Sequence, residues 1–248
     1  MDQPDLNREF APTGVLRVAL NHGNRVLVGR DEAGKPVGIS VDIANALARR
    51  LGLPLEFVEF DRAVDVSASA TQDRWDVCFL AVDPERARTI AFTAPYVRIE
   101  GCYLAGPDCE ATDALQLVAS DAAVGTVRGS AYTLTLQRQA GAENLVMFEN
   151  IGAALSALDR HEVAAIAGIR QAMEAEAAHR PGSRVLQPPF MEIRQAMAVP
   201  QGRPAASRAL SEFLNELMQT GALGDILETH GVGRGSAIMP EQTEGDTG

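Results

Sequence analysis

No stretch of this 248-residue chain approaches the roughly 18 to 20 consecutive apolar residues that a helix needs to cross a bilayer. That excludes a spanning helix. Basic charge is also short: 22 Lys and Arg stand against 33 Asp and Glu, for a net charge of −11. Phosphate backbones and anionic membranes are held by clustered cations that displace counterions, so a small molecule fits better as partner than nucleic acid or a membrane surface. Cysteine is scarce and odd in number, and Cys78, Cys102 and Cys109 match no metal-ligand spacing. They read as buried or incidental thiols, with no metal site and no cofactor expected. The N-terminal MDQPDLNREFAPTG has neither the basic stretch nor the apolar run of a secretion leader. As written, the chain is expected to stay in the cytoplasm; a leader trimmed ahead of Met1 would place it in the periplasm. Tandem repeats and low-complexity tracts are missing too.

What is there is ordinary globular material. Hydrophobic residues make up 46% and charged residues 22%, far from the disordered range. The length suits one large domain or two lobes of roughly 100 to 150 residues. VLRVAL (15–20) reads as a strand, and RDEAGKPVG (30–38) carries the Gly and Pro of a hairpin turn. In SVDIANALARRLG, Ile43, Leu47 and Leu51 recur at spacing four, with Ser40 as N-cap and Gly52 just past the end, which predicts a helix. LPLEFVEF (53–60) alternates as a strand does, a short helix near 63–72 follows, and WDVCFLAV (75–82) is a continuous apolar run typical of a strand buried on both faces.

The alternation repeats after Tyr96. Strands are predicted at 122–127, 144–148 and 163–168, with helices at 130–139, 151–160 and 170–179. FMEIRQAMAVP (190–200) is extended, and Leu210, Phe213, Leu214, Leu217, Leu223 and Ile226 form a helical stripe broken near Gly221. GVGRGS (231–236) follows a helix rather than a strand and so fails as a dinucleotide fingerprint; the chain from Gly233 reads as a frayed tail. Strand and helix alternating on short connections imply an α/β fold with parallel sheets covered by helices.

Four stretches in this order carry a resemblance: LRVAL; GKPVGISVDIANALARRLGLPLEFV; WDVCFLAVDPERARTIAFTAPY; and VGTVRGSAYTLTL. Together they resemble the family 3 extracellular solute-binding proteins of the type II periplasmic-binding-protein fold, over about Leu16 to Ile226. The resemblance implies two lobes, 1–99 with 198–248 and an inserted 100–197, each a mostly parallel sheet flanked by helices. Two crossings near Val97–Cys102 and Arg194–Val199 would form a hinge, with a ligand in the cleft between lobes. Glu100, Glu192 and Arg194, on or beside the crossings, would then lie near the cleft.

In that family the Arg of the Pro-Glu-Arg turn grips a ligand carboxylate, and Arg86 matches it, with Phe79 and Ala81 on the strand before. A planar guanidinium suits a carboxylate because two charge-assisted bonds form at once. RGSAY (128–132) matches the strand-to-helix turn whose amides bind the same carboxylate, giving Gly129, Ser130 and Ala131, flanked by Arg128 and Tyr132; Ser130 also reads as a helix cap. The departures are informative. Gly168 stands where the family's amino-acid binders carry an acid for the ligand's ammonium, Ala81 replaces a hydroxyl residue, and NHGNRVL offers Asn21 and Asn24 in place of an acid and an aromatic lid. The anion grip is kept and the amino-acid grip is not, which favours an organic acid or another non-amino ligand over a standard polar amino acid. His22 borders the cleft, whereas His161, His179 and His230 read as solvated.

The expectation is therefore binding of a small carboxylate-bearing metabolite with hinge closure, and no catalytic residue. Pairing with an ABC transporter applies only to an exported chain. Two alternatives stay open: a cytoplasmic lyase of the cyclohexadienyl-dehydratase type, using Glu100 or Glu192 as general acid, and a cytoplasmic metabolite sensor. For both glutamates an ion pair with Arg98 or Arg194 is the competing structural role.

Overall fold

The structure is a computed structural model that describes residues 3–238, with side chains from Asn7 onward. Helix α1 (Gln3–Phe10) precedes β1 (Leu16–Asn21), the hairpin β2 (Gly29–Arg30) and β3 (Pro36–Val37), α2 (Ile39–Leu51), β4 (Leu55–Phe60), α3 (Ala63–Ala68) and β5 (Val77–Ala81). After a 3-10 turn at Arg86–Arg88 the chain enters β6 (Ile90–Ala105), a strand of 16 residues. The second block comprises α4 (Ala114–Ala119), β7 (Val124–Val127), α5 (Ala131–Leu136), β8 (Leu145–Phe148), α6 (Ile151–Asp159), β9 (Ala165–Ile169), α7 (Arg170–Ala178) and β10 (Arg184–Val185). Strand β11 (Met191–Pro200) returns the chain to α8 (Pro204–Gln219) and α9 (Ala222–Thr229).

The main sheet runs β4-β1-β5-β11-β6-β9-β7-β8, with β10 on β6. At one end β1 pairs in parallel with β4 and β5, and at the other β7 pairs in parallel with β8 and β9. Between them β6 and β11 form a long antiparallel ribbon, with β11 against β5 on one side and β6 against β9 on the other. The α/β class expected from the sequence is what the chain adopts. All five residues of β5 are buried, which is why WDVCFLAV shows no alternation. Ile43, Leu47 and Leu51 bury one face of α2, and Gly52 ends that helix in a left-handed conformation at φ 66°. The three cysteines are free and buried.

Several expectations are corrected. Ser40 does not cap α2: Gly38 does, at φ 125°, and Ser40 is buried in the first turn. A Cβ on Gly38 would come within 2.6 Å of the Leu27 carbonyl oxygen, so the turn admits only glycine and sets the helix start two residues early. The stretch 97–102 is extended as expected, as the middle of β6. Helices α1 and α4 and strand β10 were not anticipated, being short. The segment from Gly233 is docked rather than frayed as far as it is described: Arg234 pairs with Asp225 and Glu228, Ala237 bridges to Val97, and the Ile238 N–H donates to the Tyr96 carbonyl at 3.0 Å. The expected tail beyond Ile238 lies outside the described residues. His161 and His230 contact Asp108 and Asp42 at 2.8 and 2.7 Å.

One buried carboxylate ties the chain's beginning to its return. Asp76 is fully buried and accepts from the Arg17 Nε and Nη2, at 2.9 Å each, and from the Arg203 Nη1 at 2.7 Å. Those bonds raise the Arg17 pKa further above its ordinary value, against the opposing effect of burial. Nearby, the Glu9 carboxylate accepts the Ala205 and Ala206 N–H groups at 2.8 and 3.0 Å, satisfying donors at the start of α8. Without Asp76, Arg17 and Arg203 keep only the exposed Asp73, at 2.9 and 3.2 Å, as carboxylate partner. Asp76→Ala is therefore expected to destabilise the protein by about 3 kcal/mol, read as a lower urea midpoint by circular dichroism; an unchanged midpoint would refute this role.

Candidate ligand-binding site

A cavity of about 460 Å³ opens between the two blocks of the sheet. Its walls come from the carboxyl ends of parallel strands, where α/β sheets place their ligands. One wall is the segment after β1 (Asn21 to Val26), the segment after β4 (Asp61 to Ala63), the end of β5 and Arg86. The other is the turn after β7, the segment Glu149–Ile151 after β8, and the end of β9 with α7. Ile193 and Gln195 of β11 close the back.

Arg86 is only 4% exposed. Its Nη1 donates to the Ala81 carbonyl at 3.1 Å and its Nη2 to the Gly129 carbonyl at 3.0 Å, across the cleft. A guanidinium carries five N–H donors, and its Nε–H has no acceptor among the described residues. The acid whose charge acts on it, Asp83, is committed elsewhere: its Oδ2 accepts from Arg138 at 2.9 Å and its Oδ1 from backbone amides of the turn. Burial accordingly pulls the Arg86 pKa down, with the Asp83 charge pushing it back up. An arginine buried against carbonyls alone is a costly arrangement that an anion in the cavity would offset.

The turn after β7 faces it. Ser130 caps α5, accepting the Thr133 N–H at 3.2 Å, and its hydroxyl contacts Thr133 Oγ1 at 2.8 Å. Gly129 has φ 70°, and a Cβ there would lie 2.6 Å from Val64 Cβ of α3, so glycine is what lets the two walls meet. Tyr132 lines the cavity, its phenol pushed up to about 12 by burial. At the rim Glu149 is shared by Arg62 at 2.5 Å and Arg128 at 3.0 Å. Arg62 also pairs with Asp65 at 2.8 Å, and Arg138 joins Asp83 across the gap.

Of the residues anticipated from sequence, Asn21, Asn24, Ala81, Arg86, Arg128, Ser130, Ala131, Tyr132 and Gly168 line the cavity, and Gly129 contributes its carbonyl. His22 lines it too, its Nε2 2.7 Å from Glu59. Phe79 does not; it is buried edge-on against Tyr96, ring centroids 6.3 Å apart. Glu100, Glu192 and Arg194 are also elsewhere. Side chains alternate along a strand, and in the ribbon Glu100, Arg98, Glu192 and Arg194 point outward while Ile99, Ile193 and Gln195 are buried. Glu100 is held by Arg170, and Glu192 by Arg194 at 3.0 Å and Arg98 at 3.8 Å. At Gly168 a Cβ would meet the Met173 sulfur at 2.8 Å, so the thioether fills the place of any side chain there.

Cavity residues that sequence reasoning missed include Arg25, Asp61, Arg62, Glu149 and Gln195. Asp61 and Arg62 follow β4 directly, a strand end that an α/β pattern marks as site-forming, so those two were within reach. Among the described residues none of the His, Cys, Asp and Glu groupings could hold a metal ion, and no helix is long and apolar enough to cross a membrane.

Residues 16–233 match the bacterial extracellular solute-binding proteins, family 3. A mutant of ArgBP from T. maritima superposes with a TM-score of 0.77 at 22% identity, over 90% of this chain and 98% of that one. A histidine kinase sensor domain with similarity to periplasmic binding proteins gives 0.77 at 20%, over 91% and 98%. The ancestral amino acid-binding protein AncCDT-1, a precursor of cyclohexadienyl dehydratase, gives 0.75 at 19%, over 91% and 98%. At these identities the likeness establishes the fold. The family is described as extracellular, so the cytoplasmic placement read from the N-terminus gains no support from it.

The close approach of Gly129 to Val64 generates a test. Gly129→Ala imposes a left-handed backbone on alanine, at a cost of about 1 kcal/mol, and adds a methyl where the walls touch. The variant is expected to melt several degrees lower and to have a larger radius of gyration by X-ray scattering, with Val64→Ala recovering part of both. A variant as compact and stable as the parent would count against glycine being required.

Proposed function

The chain belongs to the bacterial extracellular solute-binding proteins, family 3, and from that membership we propose that it binds a small carboxylate-bearing metabolite in the cavity, with closure about the β6–β11 ribbon. Arg86 carries this reading. It is a buried cation hydrogen-bonded only to carbonyls, in the wall of a cavity large enough for a small metabolite. A carboxylate supplies the countercharge that the carbonyls do not. The N–H groups at the start of α5 are the facing donors.

The lobes in this proposal are 1–99 with 198–248 and 100–197, hinged where the ribbon's register shifts between Gln195 and Ala198. Such bulges bend a strand locally. An organic acid is favoured over a standard amino acid because residue 168 presents no acid and its place is filled by Met173. Asp61 favours a second reading, since this carboxylate lines the cavity with no ion pair among the described residues and would hold a ligand ammonium from the opposite wall. The lyase alternative loses its acids, because Glu100 and Glu192 are paired with arginines outside the cavity.

Thermal melting against a panel of mono- and dicarboxylates, hydroxy acids and amino acids tests the reading. At least one carboxylate is expected to raise the melting midpoint of the parent protein. Arg86→Met, which keeps the stem and removes the charge, is expected to weaken that ligand about 100-fold, roughly 3 kcal/mol for a bidentate charge-assisted contact. Stabilisation by no carboxylate, or an Arg86→Met variant that binds as the parent does, would overturn it. Asp61→Asn separates the two readings, weakening only ligands that carry an ammonium group.

A further inference from the structure

We infer that Gln195 is a ligand-contacting, specificity-determining residue, whose side-chain amide donates to the bound carboxylate beside Arg86. The inference rests on the carboxylate reading above. Gln195 is 4% exposed and lines the cavity. Its side-chain amide has no hydrogen-bond partner among the described residues yet is not one of the fully enclosed unpaired polar groups, so the amide opens onto the cavity, where a leucine of similar volume would leave no polar group to satisfy. Gln201, exposed just past the end of β11, by contrast uses its side chain within the protein, its Nε2 donating to the Ala87 and Ile90 carbonyls at 3.1 and 3.3 Å. Gln195 has no such structural use, and the cavity is where its two N–H donors and one carbonyl can be satisfied.

Its position ties it to Arg86. Gln195 pairs with Ala81 across the β5–β11 ladder, and cross-strand partners present their side chains on the same face. The Ala81 carbonyl in turn holds the Arg86 Nη1, so guanidinium and amide flank one residue. The small side chain of Ala81 leaves the cavity face clear beside Gln195, which supplies a donor next to a position that cannot. Ile193, two residues back on β11, shares the cavity face, while Arg194 between them is exposed. The register shift immediately after Gln195 marks this as the point where the ribbon departs from regular pairing. A ligand held by Gln195 therefore bears directly on the strand that joins the two blocks.

The test compares Gln195→Leu, Gln195→Glu and the parent, titrated calorimetrically with whichever carboxylate of the panel stabilises the parent most. Gln195→Leu is expected to bind roughly tenfold more weakly while melting no lower than the parent without ligand, since no protein contact is lost. Gln195→Glu sets a second carboxylate beside Arg86 and is expected to abolish measurable binding. Parent-like affinity in both variants, while Arg86→Met loses the ligand, overturns the role of Gln195 and leaves the carboxylate reading standing. A lower melting midpoint of unliganded Gln195→Leu with affinity unchanged shows a structural residue instead and also overturns it. A parent that binds no carboxylate overturns both.

Discussion

Every other part of this molecule leans on the antiparallel pairing of β6 and β11. The two three-stranded parallel units do not hydrogen-bond to each other; each pairs with its own side of the ribbon, β5 with β11 and β9 with β6. The ribbon therefore has to satisfy two sheets at once. It does so by being apolar on both edges of the pairing and by confining its charges to one face, where Arg98, Glu100, Glu192 and Arg194 form ion pairs with one another or with Arg170. Exposed pairs of this kind contribute little to stability; their effect is to fix which face of the ribbon meets water, and so which face meets the cavity.

The cavity inherits its chemistry from that choice. With the ribbon's charged side chains outside, what β11 offers the interior is Ile193 and Gln195, and the buried positive charge comes from Arg86 in the turn after β5. The chain is strongly acidic overall, yet its most buried cation is left without a carboxylate side chain of its own. Asp83, the acid whose charge acts on it, is spent on the turn's amides and on Arg138. That allocation keeps the turn rigid and leaves the guanidinium to the cavity. Had Asp83 paired with Arg86 directly, the site would be electrically closed to an anion.

Legibility in the sequence followed how local each signal was. Helix α2 and strand β5 announced themselves through spacing and apolar density within a single element, whereas Arg86 stood out only through the resemblance of its Pro-Glu-Arg turn to the family's. Glu100, Glu192 and Arg194 were misplaced because proximity along the chain to the cleft says nothing about which side of a strand a residue occupies. Gln195 went unnoticed for the same reason: one of several polar residues in MEIRQAMAVP, it looks like ordinary strand until its neighbours across the ladder are known. The start of α2 was set by a steric contact between Gly38 and Leu27, partners eleven positions apart, which no capping rule anticipates.

The walls of the cavity are held together by polar contacts more than by packing. Arg86 reaches the Gly129 carbonyl, Arg138 reaches Asp83, and Arg62 reaches Glu149; the closest apolar approach is Val64 over a residue that has no side chain. Contacts of this kind are individually weak where water competes for them. Arg86 differs from the other two in being buried, so that its cross-cleft bond and its unused donor belong to one charged group. In the proposed function, an anion bound there strengthens the field that holds the guanidinium in place, and the guanidinium in turn holds the opposite wall through Gly129, so that binding and closure are linked through that one side chain.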